Sequence, residues 1–211
     1  MFRAAVEVGA IEQMPSIPKL GKQGRKLPDA PADDEVRAML SHARGWLRTA
    51  IALAAFAGLR MGEVRALEVR DVDRREASIL VRRALSEKET LPPKSGHERF
   101  VPLAPELGEM LSDALKDKLP QARVVLNAYG RTPGRQHVLA SLKDLQRRHG
   151  LKERSFHALR HYFCSKLVRC GASVEAVRVM AGHSTLAITQ RYVHAASADL
   201  RAAIAKLSGN G

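Results

Sequence analysis

Residues Trp46 to Ala57 (WLRTAIALAAFA) are apolar on almost every side of a helix, and this run constrains the fold more than any other stretch. A surface helix needs only one apolar stripe, so a helix apolar nearly all round has to be enclosed by other elements. The longest apolar run, Ala50 to Leu59, is far too short to span a bilayer, so the burial it needs must come from protein. Hydrophobic residues make up 45% of the 211-residue chain and aromatics only 4%, so the core is built from Leu, Val, Ile and Ala. That composition favours helices over a β-sandwich. The length supports one large domain, or one domain with part of a neighbour.

Gly58 closes the buried helix and Arg60 follows at once, which gives that arginine a rigid mount. Before it, Asp33-Asp34-Glu35 opens a helix with acids in its first turn, and Val36, Met39, Leu40 and Ala43 form the inner face. After it, Gly62–Leu67 reads as a short helix. Ser78–Arg83 and Arg99–Leu103 then read as two strands joined by a long polar loop that holds Lys94. Pro105 starts a helix with Leu107, Met110, Leu111, Ala114 and Leu115 on one face. Arg123–Leu126 is a possible short strand, and Val138, Leu142 and Leu145 mark a helix closed by Gly150. The fold class expected is α+β, mainly helical, with a small antiparallel sheet. No internal repeat is present.

Two regions flank this body. Residues 1–14 resemble the end of a helix, and residues 15–31 carry Pro15, Pro18, Pro28 and Pro31 with the basic run Lys19, Lys22, Arg25 and Lys26, the composition of an extended linker. The domain division expected is therefore a helix end plus linker over 1–31 and a main domain over 32–211. At the other end, Ser197 caps a last helix with Leu200, Ile204 and Leu207 on one stripe.

Charge narrows the class of partner. The chain has 35 Lys+Arg against 22 Asp+Glu, a net +13, and arginine suits bidentate phosphate contact better than lysine does. A basic surface of this size points to nucleic acid or an anionic membrane, and nucleic acid is favoured. Cys164 and Cys170 lie six apart on one helix, too far round and along it for a disulfide, and read as reduced core residues of a cytoplasmic protein. No signal-peptide layout opens the chain.

Chemistry concentrates in Ser155–His194. Ser155 can cap a helix that runs to Gly171, Ser173 a second that stops at Gly182, and Ser184 or Thr185 starts a third bearing Tyr192. His157, Arg160 and His161 stand three and four apart, so they project near one face. HALRH is a poor zinc motif, because Ala158 occupies the place of the glutamate in H-E-x-x-H and no third ligand is evident. Tyr129 and Tyr162 read as half-buried helix residues, and Glu63 as a support for Arg60 or a helix end. His161, Arg191, His194 and Cys164 read as supporting or merely structural.

AGLRMGEV (57–64), HALRH (157–161), AGHS (181–184) and QRYVHA (190–195) resemble, in order and spacing, the four signature segments of the tyrosine recombinase, or phage-type integrase, family. Lys94, before RFVPL, matches the family's catalytic lysine, with Lys88 as a rival six residues earlier. The resemblance runs from about residue 30 onward, and the helix stub before it looks like the end of the family's core-binding domain. It implies a catalytic domain for site-specific recombination that breaks and rejoins DNA through a 3′-phosphotyrosine. The catalytic residues implied are Arg60, Lys94, His157, Arg160, His183 and Tyr192. It implies no cofactor and no metal, because side chains supply the cations. It also implies double-stranded DNA as partner, with a homo-tetramer on paired sites and a monomer possible when free. A terminal helix docked on a neighbouring protomer is the family's habit.

The residue types fit those roles. About one free tyrosine in a thousand is phenolate at neutral pH, so Tyr192 needs a proton acceptor, for which His157 is the candidate. Arg60 and Arg160 suit the non-bridging phosphate oxygens, His183 a further hydrogen bond, and Lys94 the departing 5′-oxygen. Two other readings stand beside this one. A type IB topoisomerase shares the chemistry and relaxes supercoils alone. A helix-turn-helix reader could use the two helices around Gly171, but would have no need of Arg60, Lys94 or Tyr192.

Overall fold

The computed structural model describes residues 29–87, 89–93 and 96–193. The helix stub, residues 15–28 of the linker, Lys88, Lys94, His194 and the C-terminal stripe lie outside them.

Among the described residues, helix α1 spans Asp33–His42, α2 Gly45–Phe56 and α3 Met61–Ala66. Strands β1 (Val72–Asp73), β2 (Ser78–Val81), β3 (Ala84–Leu85), β4 (Thr90–Leu91) and β5 (Arg99–Pro102) follow. Then come α4 (Pro105–Leu115), α5 (Arg135–Arg148), α6 (Phe156–Arg169), α7 (Val174–Ala181) and a final helix α8 over 186–193. The expected α+β class is the class observed. No described helix is long and apolar enough to cross a membrane.

Helix α2 is the centre, as its apolar circumference requires. Thr49 through Ala55 are all buried, and α1, α3, α4, α5 and α6 pack around it. Its small residues, Ala50, Ala52, Ala54 and Ala55, let α6 approach closely. Each fully buried aliphatic side chain in such a core contributes on the order of 1.5–3 kcal/mol. Helix α2 ends at Gly58, whose φ of +64° favours glycine and whose missing Cβ leaves room for the ring of Phe163 on α6. The first turn of α1 is closed by Glu35 Oε2, which accepts from the Ala32 N–H at 2.7 Å.

The main sheet has the order β1-β2-β5, all antiparallel, with Ile79 opposite Val101 and Val81 opposite Arg99. Its buried face carries Ile79, Val81, Val101 and the charged Arg99, while Phe100 is 66% exposed. The polar stretch between β2 and β5 is not all loop. It contains the two-stranded pair β3–β4, whose two-residue strands are too short to show an alternating pattern in the sequence. Arg123–Leu126 is not a strand. It makes one isolated bridge, Glu68 with Arg123, and is held by the Val124 N–H on the Leu67 carbonyl at 2.9 Å.

Three further expectations need correcting. Cys164 is buried against the core but Cys170, at the C-cap of α6, is exposed. Tyr129 stands 86% exposed in the turn where Asn127 accepts from the backbone N–H groups of Tyr129 and Arg131, and Tyr162 is fully buried rather than half-buried. Ser155 does occupy the N-cap of α6, yet its side chain makes no capping bond. Ser173 does cap α7, accepting from the Ala176 N–H at 3.1 Å.

Candidate active site

Helix α7 ends in a left-handed glycine, Gly182 (φ +63°, ψ +47°), and the turn it makes is the hub of the site. The Gly182 N–H donates to Val179 and the His183 N–H to Arg178, both at 3.0 Å, which reverses the chain. The turn leaves the carbonyls of Ala181 and Gly182 facing the end of α2, and Arg160 and Arg60 bind them. Arg60 Nη2 donates to the Gly182 carbonyl at 2.7 Å. Arg160 Nη2 donates to Ala181, and its Nη1 to the Gly58 carbonyl at 2.5 Å.

Arg60 is the N-cap of α3, and its own helix holds it. Glu63 Oε2 accepts from the Arg60 N–H at 2.8 Å, and Glu63 Oε1 pairs with Nη1 at 3.0 Å. Glu63 therefore supports Arg60, as its spacing suggested. Arg160 is 1% exposed, and its guanidinium donates to the Gly58 and Ala181 carbonyls. Burial, with Arg60 nearby, lowers its pKa to about 10, still well above neutrality.

Helix α8 brings in the phenol. Tyr192 is 1% exposed, and its hydroxyl lies 2.6 Å from His161 Nδ1. Its ring stacks parallel to His183 at a centroid distance of 6.0 Å, and His183 Nδ1 is in turn 2.9 Å from Thr189 Oγ1. His157 meets His161 edge-on at 4.5 Å. Arg60, His157, Arg160, His183 and Tyr192 thus line one cavity of about 270 Å³, together with His161 and Arg191. Tyr192 occupies the cavity of its own chain. Larger cavities exist, one of about 770 Å³ beside Trp46 and Met110, but that one gathers no nucleophile with cations.

The electrostatics follow from burial among guanidinium groups. Desolvation first, then Arg160 and Arg60, push His183 down to about 3. Desolvation, His157 and Arg191 bring His161 to about 4, and His157 is lowered by burial and Arg160. Burial, then the neighbouring Cys164, drive the Tyr192 phenol upward. At neutral pH the histidines are neutral, the arginines charged and the tyrosine protonated. Tyr192 and His161 share one hydrogen bond, whose donor is set by the tautomer of the neutral imidazole. The cavity thus sets guanidinium groups and neutral imidazoles beside a protonated phenol.

His161, and Arg99 whose guanidinium pairs with Glu63, carry little signal of these contacts in the sequence. His161 reads there as a supporting residue, although its position one turn beyond His157 puts it on the same face. Arg99 carried no signal at all, since an arginine opening a strand ordinarily faces solvent. Lys94 lies outside the described residues.

The model of the phage integrase family matches residues 32–199. The chain belongs to the phage integrase family. A tyrosine recombinase XerD of Staphylococcus epidermidis is 30% identical over 198 residues, covering 85% of this chain and 62% of that protein. A XerC-like tyrosine recombinase of Caldanaerobacter subterraneus is 28% identical over 193 residues, with 77% and 49% covered. The chain thus spans about three fifths of the first of these relatives and half of the second. Among solved structures, the Tn1549 transposon integrase in complex with a circular intermediate DNA has the same fold, with a TM-score of 0.76 at 20% identity over 90% of this chain and 70% of that one. The catalytic domain of bacteriophage HP1 integrase gives 0.59 at 22% identity, covering 86% of this chain and 98% of that one. For this integrase-family chain, the family match takes in both the helical body and the α6–α8 segment that carries the site.

Proposed function

We propose that this chain is the catalytic part of a site-specific DNA recombinase that cleaves and rejoins strands through a 3′-phosphotyrosine. The observation that carries the reading is that Tyr192 lines one cavity with Arg60 and Arg160, the latter buried and hydrogen-bonded to backbone carbonyls. Tyr192 attacks phosphorus, the phenol proton passes to a histidine, and the 5′-oxygen leaves with a proton from Lys94. The phosphodiester energy is kept in the Tyr–phosphate bond, so rejoining is the reverse step and needs no nucleotide.

Arg60 and Arg160 take the two non-bridging oxygens, where removing one donor costs on the order of 100-fold in rate. His183, neutral and fixed by Thr189 through Nδ1, offers Nε2 to the phosphate. His157 is the proposed proton acceptor once Tyr192 turns toward the phosphate. In the state described here its neighbour His161 holds the phenol instead. The partner is double-stranded DNA. The net charge supports this, and so do the DNA complexes in which the Tn1549 integrase neighbours were solved. A homo-tetramer on paired sites, in the cytoplasm where the DNA lies, completes the reading.

A nicked suicide substrate tests it. The wild-type chain should become covalently attached to DNA, and Tyr192→Phe should bind without attachment. Wild type that binds but never attaches would sink the catalytic reading. Relaxation of plasmid without paired sites would favour a type IB topoisomerase instead.

A further inference from the structure

We propose that Arg99 is a positioning residue for the phosphate chemistry and acts through Glu63: it takes up the Glu63 carboxylate and so leaves the charge of Arg60 to the phosphate. The inference rests on the recombinase reading for its substrate, but its geometry stands independently.

Glu63 is 1% exposed, and four donors surround its carboxylate. Two belong to Arg60, the backbone N–H and Nη1. The other two belong to Arg99, with Nη1 on Oε1 at 3.0 Å and Nη2 on Oε2 at 2.7 Å. The Arg99 pair is thus bidentate and almost dry, with side-chain exposures of 5% and 1%, whereas Arg60 is 24% exposed at its outer edge. Arg60 and Glu63 alone would sum to zero and present no net charge to an anion. Adding Arg99 restores one positive charge, and Arg60 is the member that reaches the cavity.

The same guanidinium also braces the hub. Arg99 Nε donates to the Met180 carbonyl at 2.9 Å, and a Cβ on Gly182 would stand only 3.0 Å from Arg99 Nη1. Arg60 grips that turn from the cavity side and Arg99 from the sheet side. Strand β5 turns Arg99 inward at the cost of exposing Phe100, a register that an apolar core alone would not select.

A double-mutant cycle over Arg99→Met and Glu63→Gln tests the proposal in the 211-residue chain. It is read in two ways: the rate of covalent attachment to nicked DNA, and the affinity for inorganic phosphate followed by the imidazole NMR signals of His157 and His183. Melting curves accompany each variant. With Glu63 present, Arg99→Met should slow attachment on the order of 100-fold and weaken phosphate binding about tenfold. With Glu63→Gln, the same substitution should cost no more than about fivefold in either, because no carboxylate remains to be neutralised.

An Arg99→Met chain that folds and attaches within about twofold of wild type overturns the proposal, as do equal losses in both backgrounds. If Arg99→Met alone does not fold, the pair lacking both charges leaves no orphaned ion and decides the matter. A loss beyond tenfold relative to Glu63→Gln then rejects it. A wild type that binds phosphate with this pattern but never attaches to DNA sinks the recombinase reading and spares Arg99. One that neither binds nor attaches sinks both.

Discussion

The hydroxyl of Tyr192 rests 2.6 Å from Nδ1 of His161, one turn along α6 from the His157 that the family resemblance puts forward as its base. The phenol is almost fully buried, and desolvation with the neighbouring Cys164 raises its pKa, so it is protonated at neutral pH.

That contact should be measurable as a coupling. Tyr192→Phe leaves His161 Nδ1 without its hydrogen-bond partner, and His161→Ala does the same to the phenol. Each is expected to cost about 1–2 kcal/mol in urea denaturation, with the double mutant less destabilised than the sum by about 1 kcal/mol. Strict additivity would mean that the pair does not interact in solution.

Acid should weaken the fold before any carboxylate is involved. His183 and His161 have folded pKa values of about 3 and 4 against an ordinary 6.5, so between those values the unfolded chain binds more protons than the folded one. Their contribution is complete above about 6.5 and is lost as pH falls toward 4. For the well-buried His183 this is a few kcal/mol, on the order of 2–4. Glu63, lowered by Arg99 and Arg60 despite the opposing effect of burial, adds its own loss only at lower pH, below the ordinary 4.5. Denaturation midpoints from pH 7 to pH 5 should fall in wild type and fall less steeply in His183→Gln.

Gly58 and Gly45 form an internal comparison. Both have positive φ, +64° and +51°, but a Cβ at Gly58 would collide with the Phe163 ring, whereas nothing lies within 4 Å of one at Gly45. Gly45→Ala should cost about 1–2 kcal/mol, the backbone term alone. Gly58→Ala should cost about 2–5 kcal/mol in thermal or urea unfolding. It should also reduce DNA attachment, since the Gly58 carbonyl holds Arg160.

The cysteines should separate by reactivity. Cys170 is exposed, while Cys164 is buried with its thiol pushed up by desolvation. A thiol reagent should titrate one group in the native chain and two in denaturant. Two fast-reacting thiols without denaturant would show that α6 does not pack on α2 as described.

Much of this protein is determined by residues acting on their near neighbours. The all-round apolarity of Trp46–Ala57 dictates a central helix, and Ser173 with Gly182 brackets α7. His157, Arg160 and His161 share a face because 3.6 residues make a turn. What the fold alone decided are pairings between distant segments. Arg60 meets Gly182 across 122 residues, Arg99 meets Glu63 across 36, and Tyr192 meets His161 across 31. Local propensity carries no information about such partners, because a buried charge is tolerated only where other elements bring a counter-charge or hydrogen-bonding groups to it. For that reason Arg99 turns inward while Phe100 faces solvent. The sequence determined which chemical groups this protein has, and the tertiary structure decided which of them meet around Tyr192 and which carboxylate the arginines share.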